Sequence, residues 1–255
     1  MEIRDHVAIV TGGASGLGEA CVRGFVKEGA KVAILDFDED RGQKIVSELG
    51  PSTIFCKIDV IDENHVAAAI HQTMVSFGAI HFAVNCAGVV NPAKVLNRGC
   101  PMSMSGFFKV VNINLMGTMN IIRLAAEKMV LNVPNGDGEK GVVINTASVA
   151  AYEGQIGQAA YAASKAGVVG LTLPIAREFS EYGIRVMTIA PGLFETPMLS
   201  GLPENAKTSL VKMIPFPKRL GRPSEFARLA MHVIGNPQLN GETIRLDAAI
   251  RMAAR

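Results

Sequence analysis

Hydrophobic residues in this 255-residue chain gather into short blocks. Between the blocks lie longer stretches in which apolar positions recur every three or four residues. The blocks are His6–Thr11, Lys31–Asp36, Thr53–Ile58, Ile80–Asn85, Gly141–Asn145, Ile184–Ile189 and Glu242–Leu246. Their apolar runs do not alternate with polar residues, so they predict strands buried on both faces. The stretches between them predict helices, the first reaching about Glu28. Strands separated by helices form parallel sheets covered on both sides. No linker, repeat or low-complexity tract interrupts the order. The pattern therefore predicts one doubly wound α/β domain of Rossmann type over 1–255, with a seven-stranded parallel sheet.

Two segments depart from this rhythm. Asn132–Lys140 is polar and glycine-rich and reads as an exposed loop. Pro191–Pro223 holds six prolines and no convincing strand. Long excursions beyond strand C-termini are where ligands sit in open α/β sheets, so the region around 191–222 is expected to be a substrate lid.

Composition narrows the class. At 49% hydrophobic and 19% charged, the chain can bury a large core. A formal charge of +2 gives no reason to expect nucleic acid. None of the four cysteines forms a CxxC pair, and three lie in apolar stretches. They read as reduced thiols in a cytosol-like compartment, not as a disulfide framework or metal site. The N-terminus enters a strand at once, without a signal-peptide pattern. No apolar run is expected to be long enough to span a bilayer. These features favour a cytoplasmic protein, with the mitochondrial matrix open for a eukaryotic source.

Chemistry concentrates at strand ends. Thr11-Gly12-Gly13-Ala14-Ser15-Gly16-Leu17-Gly18 follows the first strand and opens a helix. Glycines 12, 16 and 18 allow a tight turn and close approach to a pyrophosphate, and the helix start, with Ser15 and Leu17, offers free N–H groups. The spacing is not the generic G-x-G-x-x-G, and plain turn chemistry is the alternative. Asp36 ends the second strand, twenty-four residues after Gly12. A carboxylate there accepts hydrogen bonds from ribose hydroxyls and repels a 2′-phosphate, which favours NAD(H) over NADP(H). Its alternative is a helix N-cap. Asp59 and Val60 close the third strand, and Asn85, Ala87 and Gly88 close the fourth. They are expected on the same edge, although such residues also form ordinary turns.

Of the three tyrosines, only Tyr161 has a lysine at i+4, Lys165, on the same helical face. A neighbouring cation stabilises phenolate, so Lys165 is expected to lower the ordinary phenol value near 10. Ser148 stands just beyond the fifth strand, thirteen residues upstream of Tyr161. A hydroxyl and a phenol so placed can converge on one substrate oxygen, though Ser148 could also cap the next segment. Asn114 falls mid-helix, where asparagine is unfavourable, and reads as a kink or a relay.

Taken together, TGxxxGxG, a strand-two Asp, NxAG, Asn114, Ser148, YxxxK and Pro191-Gly192 resemble the short-chain dehydrogenase/reductase family nearly end to end. That family usually has Asn-Asn-Ala-Gly after strand four; Cys86 replaces the second asparagine. The runs Asn145–Gln158, Thr172–Arg177 and Arg185–Phe194 are similar to the type II 3-hydroxyacyl-CoA dehydrogenases of that family, while Pro92–Phe108 looks less like them. The resemblance implies that Tyr161 is the catalytic acid or base and that Lys165 lowers its pKa and holds the nicotinamide ribose. It implies that Ser148 binds the substrate oxygen and that Asn114 holds a water linking Lys165 to solvent. Thr188, Pro191, Gly192 and Thr196 would line the nicotinamide.

Substrate would meet Gln155, Gln158 and Leu193, with Tyr152, Phe194, Met198, Leu199 and Leu202 as further apolar candidates. The substrate implied is an acyl-CoA or similar hydrophobic alcohol or ketone, including hydroxysteroids. Lys207, Lys212, Lys218, Arg219 and Arg222 are candidates for CoA phosphates or form a solvated face. A homotetramer is implied, with the apolar tail Ala248–Met252 against a neighbour. A 3-oxoacyl-carrier-protein reductase or another alcohol dehydrogenase, and a non-catalytic nucleotide-sensing scaffold, are the competing readings.

Overall fold

The computed structural model describes residues 1–200 and 204–254. Seven parallel strands form the sheet: β1 (Val7–Thr11), β2 (Lys31–Asp36), β3 (Thr53–Lys57), β4 (Phe82–Asn85), β7 (Gly141–Thr146), β8 (Ile184–Pro191) and β9 (Thr243–Leu246). Their order is β3-β2-β1-β4-β7-β8-β9. The chain winds outward from β1 in one direction and then, from β4, in the other. The order reverses between β1 and β4, so the crevice beyond their C-terminal ends is the ligand site of this architecture.

Successive residues of a strand face opposite sides, and each side has its own cover. Ala8 and Val10 of β1 pack with Val22 and Phe25 of α1 (Gly16–Lys27) and with Phe226 and Val233 of α9 (Pro223–Gly235). Ile9 packs on the other side with Val66 and Ile70 of α3 (Glu63–Phe77), Ile121 and Ile122 of α5 (Gly117–Met129) and Ile175 of α6 (Ala159–Phe179). The helix α2 (Glu39–Leu49) opens on Asp38, whose carboxylate accepts from Arg41 N–H at 3.1 Å. This makes Asp38, not Asp36, the helix cap.

The seven expected strands are all present, with ends shifted by up to two residues. β8 runs two residues further than expected, to Pro191. An exposed hairpin pairs β5 (Leu96–Asn97) with β6 (Cys100–Pro101), which the pattern did not predict. Its two-residue turn has φ of 50° at Arg98 and 81° at Gly99, the mirror-image turn that suits strand twist. The expected lid contains two helices, α7 (Pro197–Ser200) and α8 (Glu204–Lys212), in place of an unbroken loop. Within the C-terminal tail, Ala249 and Arg251 are exposed and Ile250 is not. Ile250 is fully buried within the chain, against Val149 and Ile214.

One composition-based expectation is corrected. Ala159–Tyr182 is long and apolar enough to cross a membrane by length and hydropathy alone. This stretch packs on β8 and also carries the buried polar residues Ser164, Lys165 and Thr172. Its apolar character therefore serves a helix that is buried on one side.

Candidate active site

The glycine-rich turn is shaped by backbone proximity. Gly12 has φ of 62°, and a Cβ there would stand 2.8 Å from Ala87 N. A Cβ at Gly18 would stand 2.2 Å from the Gly12 carbonyl oxygen. Gly16, at φ 56°, faces Thr196, whose Cγ2 would lie 3.3 Å from a Cβ. Thr11, which the motif contains but which pattern reading did not single out, ties this turn to the end of β4. Its Oγ1 accepts from both Cys86 N–H and Ala87 N–H at 3.1 Å. Ser15 is the N-cap of α1 and makes no side-chain capping bond, so the first-turn amides around Leu17 are left for a ligand.

Asp36 stands beside this turn. Its carboxylate accepts from Ala14 N–H at 2.9 Å and from Asp38 N–H at 3.0 Å, which fixes it at the cleft edge. Asp59 accepts from Ile61 N–H at 3.2 Å, and the carbonyl of Val60 accepts from Asn120 at 3.0 Å. Asn85 ends β4 on the expected edge. It is buried in the sheet, and its amide donates to Asn145 Oδ1 at 2.9 Å. Gly88 lies between the two halves of the site. A Cβ there would come within 3.2 Å of Asn114 Oδ1 and 3.5 Å of Lys165 Nζ. The turn, the free helix start, the fixed carboxylate and this bare glycine together fit a dinucleotide.

The polar groups meet just beyond. Ser148 follows β7, accepts from Ala150 N–H at 3.1 Å and is hydrogen-bonded to Tyr161. The capping role is thus realised, with the same hydroxyl beside Tyr161. Lys165 is buried, donates to the Thr146 carbonyl at 2.6 Å and has its Nζ 5.9 Å from the centre of the Tyr161 ring. Asn114 lies in a π-helical turn, Asn112–Met116, between α4 (Met104–Val111) and α5. Such turns recur at functional sites. Its Oδ1 accepts from Val89 N–H at 2.8 Å, while Nδ2 donates to the Val89 carbonyl at 2.9 Å and to Ser164 Oγ at 3.0 Å. Ser164 in turn donates to the Tyr161 carbonyl at 2.8 Å. Ser164, adjacent to Lys165 in the YxxxK motif, was the readable signal for this link.

Electrostatics corrects one expectation. Tyr161 is pushed above the ordinary phenol value by burial, offset only in part by the bond from Ser148. Lys165 does not lower it, because the ammonium is directed at the Thr146 carbonyl. Burial lowers Lys165 itself to about 8.

The residues around this centre sort unevenly. Thr188 is fully buried and shares a 2.6 Å hydrogen bond with Thr172, so it does not line the cleft. Pro191 ends β8, and Gly192 donates to the Leu246 carbonyl at 2.9 Å. The Thr196 hydroxyl is 3.5 Å from the Phe194 carbonyl. Leu193 packs beside Val149, one residue from Ser148. Phe194 is buried in the hydrophobic core. Gln155 and Gln158 meet at 3.4 Å in the loop before Tyr161, and Gln155 also donates to the Ala253 carbonyl at 3.0 Å. Arg219 is committed to Glu225 at 2.7 Å, while Lys212, Lys218 and Arg222 are exposed. Leu202 and the side chains of Met198 and Lys207 lie outside the described residues.

The family profile described as short chain dehydrogenase matches residues 6–207. The chain belongs to the short-chain dehydrogenase family. It is 52% identical over 98% of its length to 3-hydroxyacyl-CoA dehydrogenase type-2 of Drosophila melanogaster, covering 99% of that protein. It is 50% identical to the protein of the same name in Homo sapiens, over 98% of this chain and 97% of that one. The crystal structure of 3-hydroxyacyl-CoA dehydrogenase type-2 from Mycobacterium avium superposes with a TM-score of 0.95 at 43% identity, covering 98% of both chains. As a short-chain dehydrogenase, the protein is an oxidoreductase that uses a nicotinamide nucleotide. Where the family usually has its second asparagine, Cys86 accepts a hydrogen bond from Thr146 Oγ1 at 3.4 Å and so keeps a polar link to β7.

Proposed function

We propose that the protein is an NAD-dependent dehydrogenase interconverting (S)-3-hydroxyacyl-CoA and 3-oxoacyl-CoA thioesters, with hydroxysteroids as further substrates. The observation that carries this reading is the meeting of Ser148, Tyr161, Lys165 and Asn114 beside the glycine turn and Asp36. The names of the relatives support the acyl-CoA substrate. The fixed Asp36 carboxylate supports NAD, since it would repel a 2′-phosphate.

A bound nicotinamide supplies or accepts the hydride at its C4 position. The chain's residues manage the oxygen and its proton. Ser148 and Tyr161 are hydrogen-bonded to each other, so their hydroxyls can hold one substrate oxygen between them. With its pKa raised, Tyr161 is protonated at neutral pH and ready to protonate the oxygen during ketone reduction. In alcohol oxidation it must take a proton, and Ser148 is the neighbour that favours the phenolate form, whereas the Lys165 ammonium would have to turn from the Thr146 carbonyl to add its charge. Asn114 anchors the Tyr161 turn through Ser164 and leaves Gly88 to separate it from Lys165.

Exposed Lys212, Lys218 and Arg222 are the basic groups available to CoA phosphates. The family resemblance supports a homotetramer in the cytoplasm or the mitochondrial matrix. Exposed Phe108, Met116 and Leu173, on or beside the helices carrying Asn114 and Tyr161, supply an apolar face for such contacts. Light scattering tests the assembly. The activity is tested by turnover of acetoacetyl-CoA, a carrier-protein thioester and oestradiol with NAD(H) and NADP(H). Acetoacetyl-CoA with NADH should be preferred, and Tyr161→Phe should lower its turnover by roughly 10²–10⁴-fold with NADH binding retained. Undiminished turnover in that variant would overturn the mechanism.

A further inference from the structure

The loop joining Ser148 to Tyr161 is held from outside by the C-terminal segment, and one carboxylate makes most of the connection. Glu153 Oε1 accepts from Arg245 at 2.8 Å and meets Arg251 at 3.3 Å. Its Oε2 accepts from Met252 N–H at 2.9 Å. Arg245 also donates to Asp247 at 2.7 Å and lies 5.3 Å from the centre of the Tyr152 ring. Two more bonds extend the seam. Gln155 Nε2 donates to the Ala253 carbonyl and Ile156 N–H to the Ala254 carbonyl, both at 3.0 Å. The loop's other side is tied by Ala93 N–H to the Gly157 carbonyl at 2.8 Å.

We propose that Glu153 is a positioning residue that clamps the C-terminal segment onto the Ser148–Tyr161 loop and so fixes the wall against which the substrate's acyl chain lies. This rests on the dehydrogenase reading above. Gln155 then acts as part of the clamp, since its amide donates to Ala253 while its Oε1 accepts from Gln158. The two arginines on Glu153 hold its carboxyl below the usual carboxylate range, so the clamp stays charged at neutral pH. Ser148 and Tyr161 are themselves fixed by bonds to Ala150 and Ser164 that do not pass through the tail. Loosening the tail should therefore disturb substrate binding more than chemistry.

The experiment compares Glu153→Ala, Glu153→Gln, removal of residues 252–255, and the Glu153→Ala truncated double variant. Steady-state kinetics use acetoacetyl-CoA and NADH, and NADH affinity is titrated by fluorescence. We expect KM for the thioester to rise roughly tenfold in Glu153→Ala and in the truncation, with kcat within about twofold and NADH affinity unchanged. The double variant should be no worse than either single change, because both break one connection. Glu153→Gln keeps an acceptor for Met252 N–H and should fall between. Additive effects, or a kcat loss at constant KM, would overturn the proposal. Hydrogen exchange at Ile156 gives a readout independent of substrate. It should quicken in the truncation and in Glu153→Gln, and unchanged exchange refutes the clamp even if Glu153→Ala does not fold. If the intact protein turns over no acyl-CoA, the activity reading fails, and exchange still decides whether the clamp exists.

Discussion

Replacing Lys165 with methionine should abolish turnover while leaving the protein about as stable as before, an unusual outcome for a buried site. Burial lowers this ammonium from 10.5 to about 8, so below pH 8 the folded chain carries a charge it disfavours by about 3 kcal/mol. The methionine side chain fills similar space without that charge. It does remove the 2.6 Å bond to the Thr146 carbonyl, and leaving a buried carbonyl unpaired costs about 1–3 kcal/mol. The two effects nearly cancel, placing the variant within about 2 kcal/mol of the wild type at pH 7. The pH dependence separates this from simple tolerance. The folded pKa lies below the unfolded one, so between 8 and 10.5 the unfolded chain keeps a proton that the folded chain has shed. Wild-type stability should therefore rise relative to Lys165→Met by about 2 kcal/mol from pH 7 to pH 9.5. Tyr161 has a raised folded pKa, and its contribution is lost only as pH climbs past the ordinary phenol value of 10, above this window. The assay is urea unfolding at several pH values, and a pH-independent gap between the two proteins would refute the reasoning.

Other changes report on separate parts of the structure. Asp36→Ser removes the carboxylate at the cleft edge and should raise the NADPH-to-NADH ratio of kcat/KM by roughly tenfold or more, measured with both cofactors on one ketone. Gly18→Ala would place a Cβ 2.2 Å from the Gly12 carbonyl oxygen. It should weaken NADH binding by at least roughly tenfold in a fluorescence titration, because the phosphate turn must open. His81 is lowered to about 4 by burial and then by the nearby His6. Its stabilising effect is present above pH 6.5 and lost as pH falls through about 4, since the unfolded chain takes up the proton first. Melting temperature should therefore fall less steeply over that range in His81→Asn than in wild type.

The sheet was legible because burial on both faces leaves an unbroken apolar run, and each of the seven runs became a strand. The clustering of Asn114, Ser148, Tyr161 and Lys165 was legible because fixed spacings on helices and strand ends determine direction. What escaped was set by tertiary context. The phenol's proton affinity depends on where the Lys165 ammonium points, and a carbonyl 19 residues upstream in sequence captures it. Thr188 has the composition of a cleft residue, but the pleat turns it toward Thr172. The seam between Glu153 and the tail joins residues 99 positions apart, beyond any local pattern. The lid helices escaped because six prolines masked two short helical segments.

The two edges of the sheet differ in how well their polar groups are satisfied. At the N-terminal edge, Arg185 is buried but bonds Glu139 at 2.5 Å and the carbonyls of Val233, Ile234 and Leu239. Each charge there has a partner, as a purely structural pair requires. At the C-terminal edge, Asn85 Oδ1 and Asn145 Nδ2 are buried with no hydrogen-bond partner among the described residues. Lys165 keeps its charge at a cost, and Tyr161 is held away from ionisation. A fold stabilised by a two-sided core can tolerate such groups, but nothing in folding favours placing them together. Their concentration where β4, β7 and α6 converge is what a site built for proton transfer needs, since groups satisfied in the resting state have little left to offer a reacting oxygen.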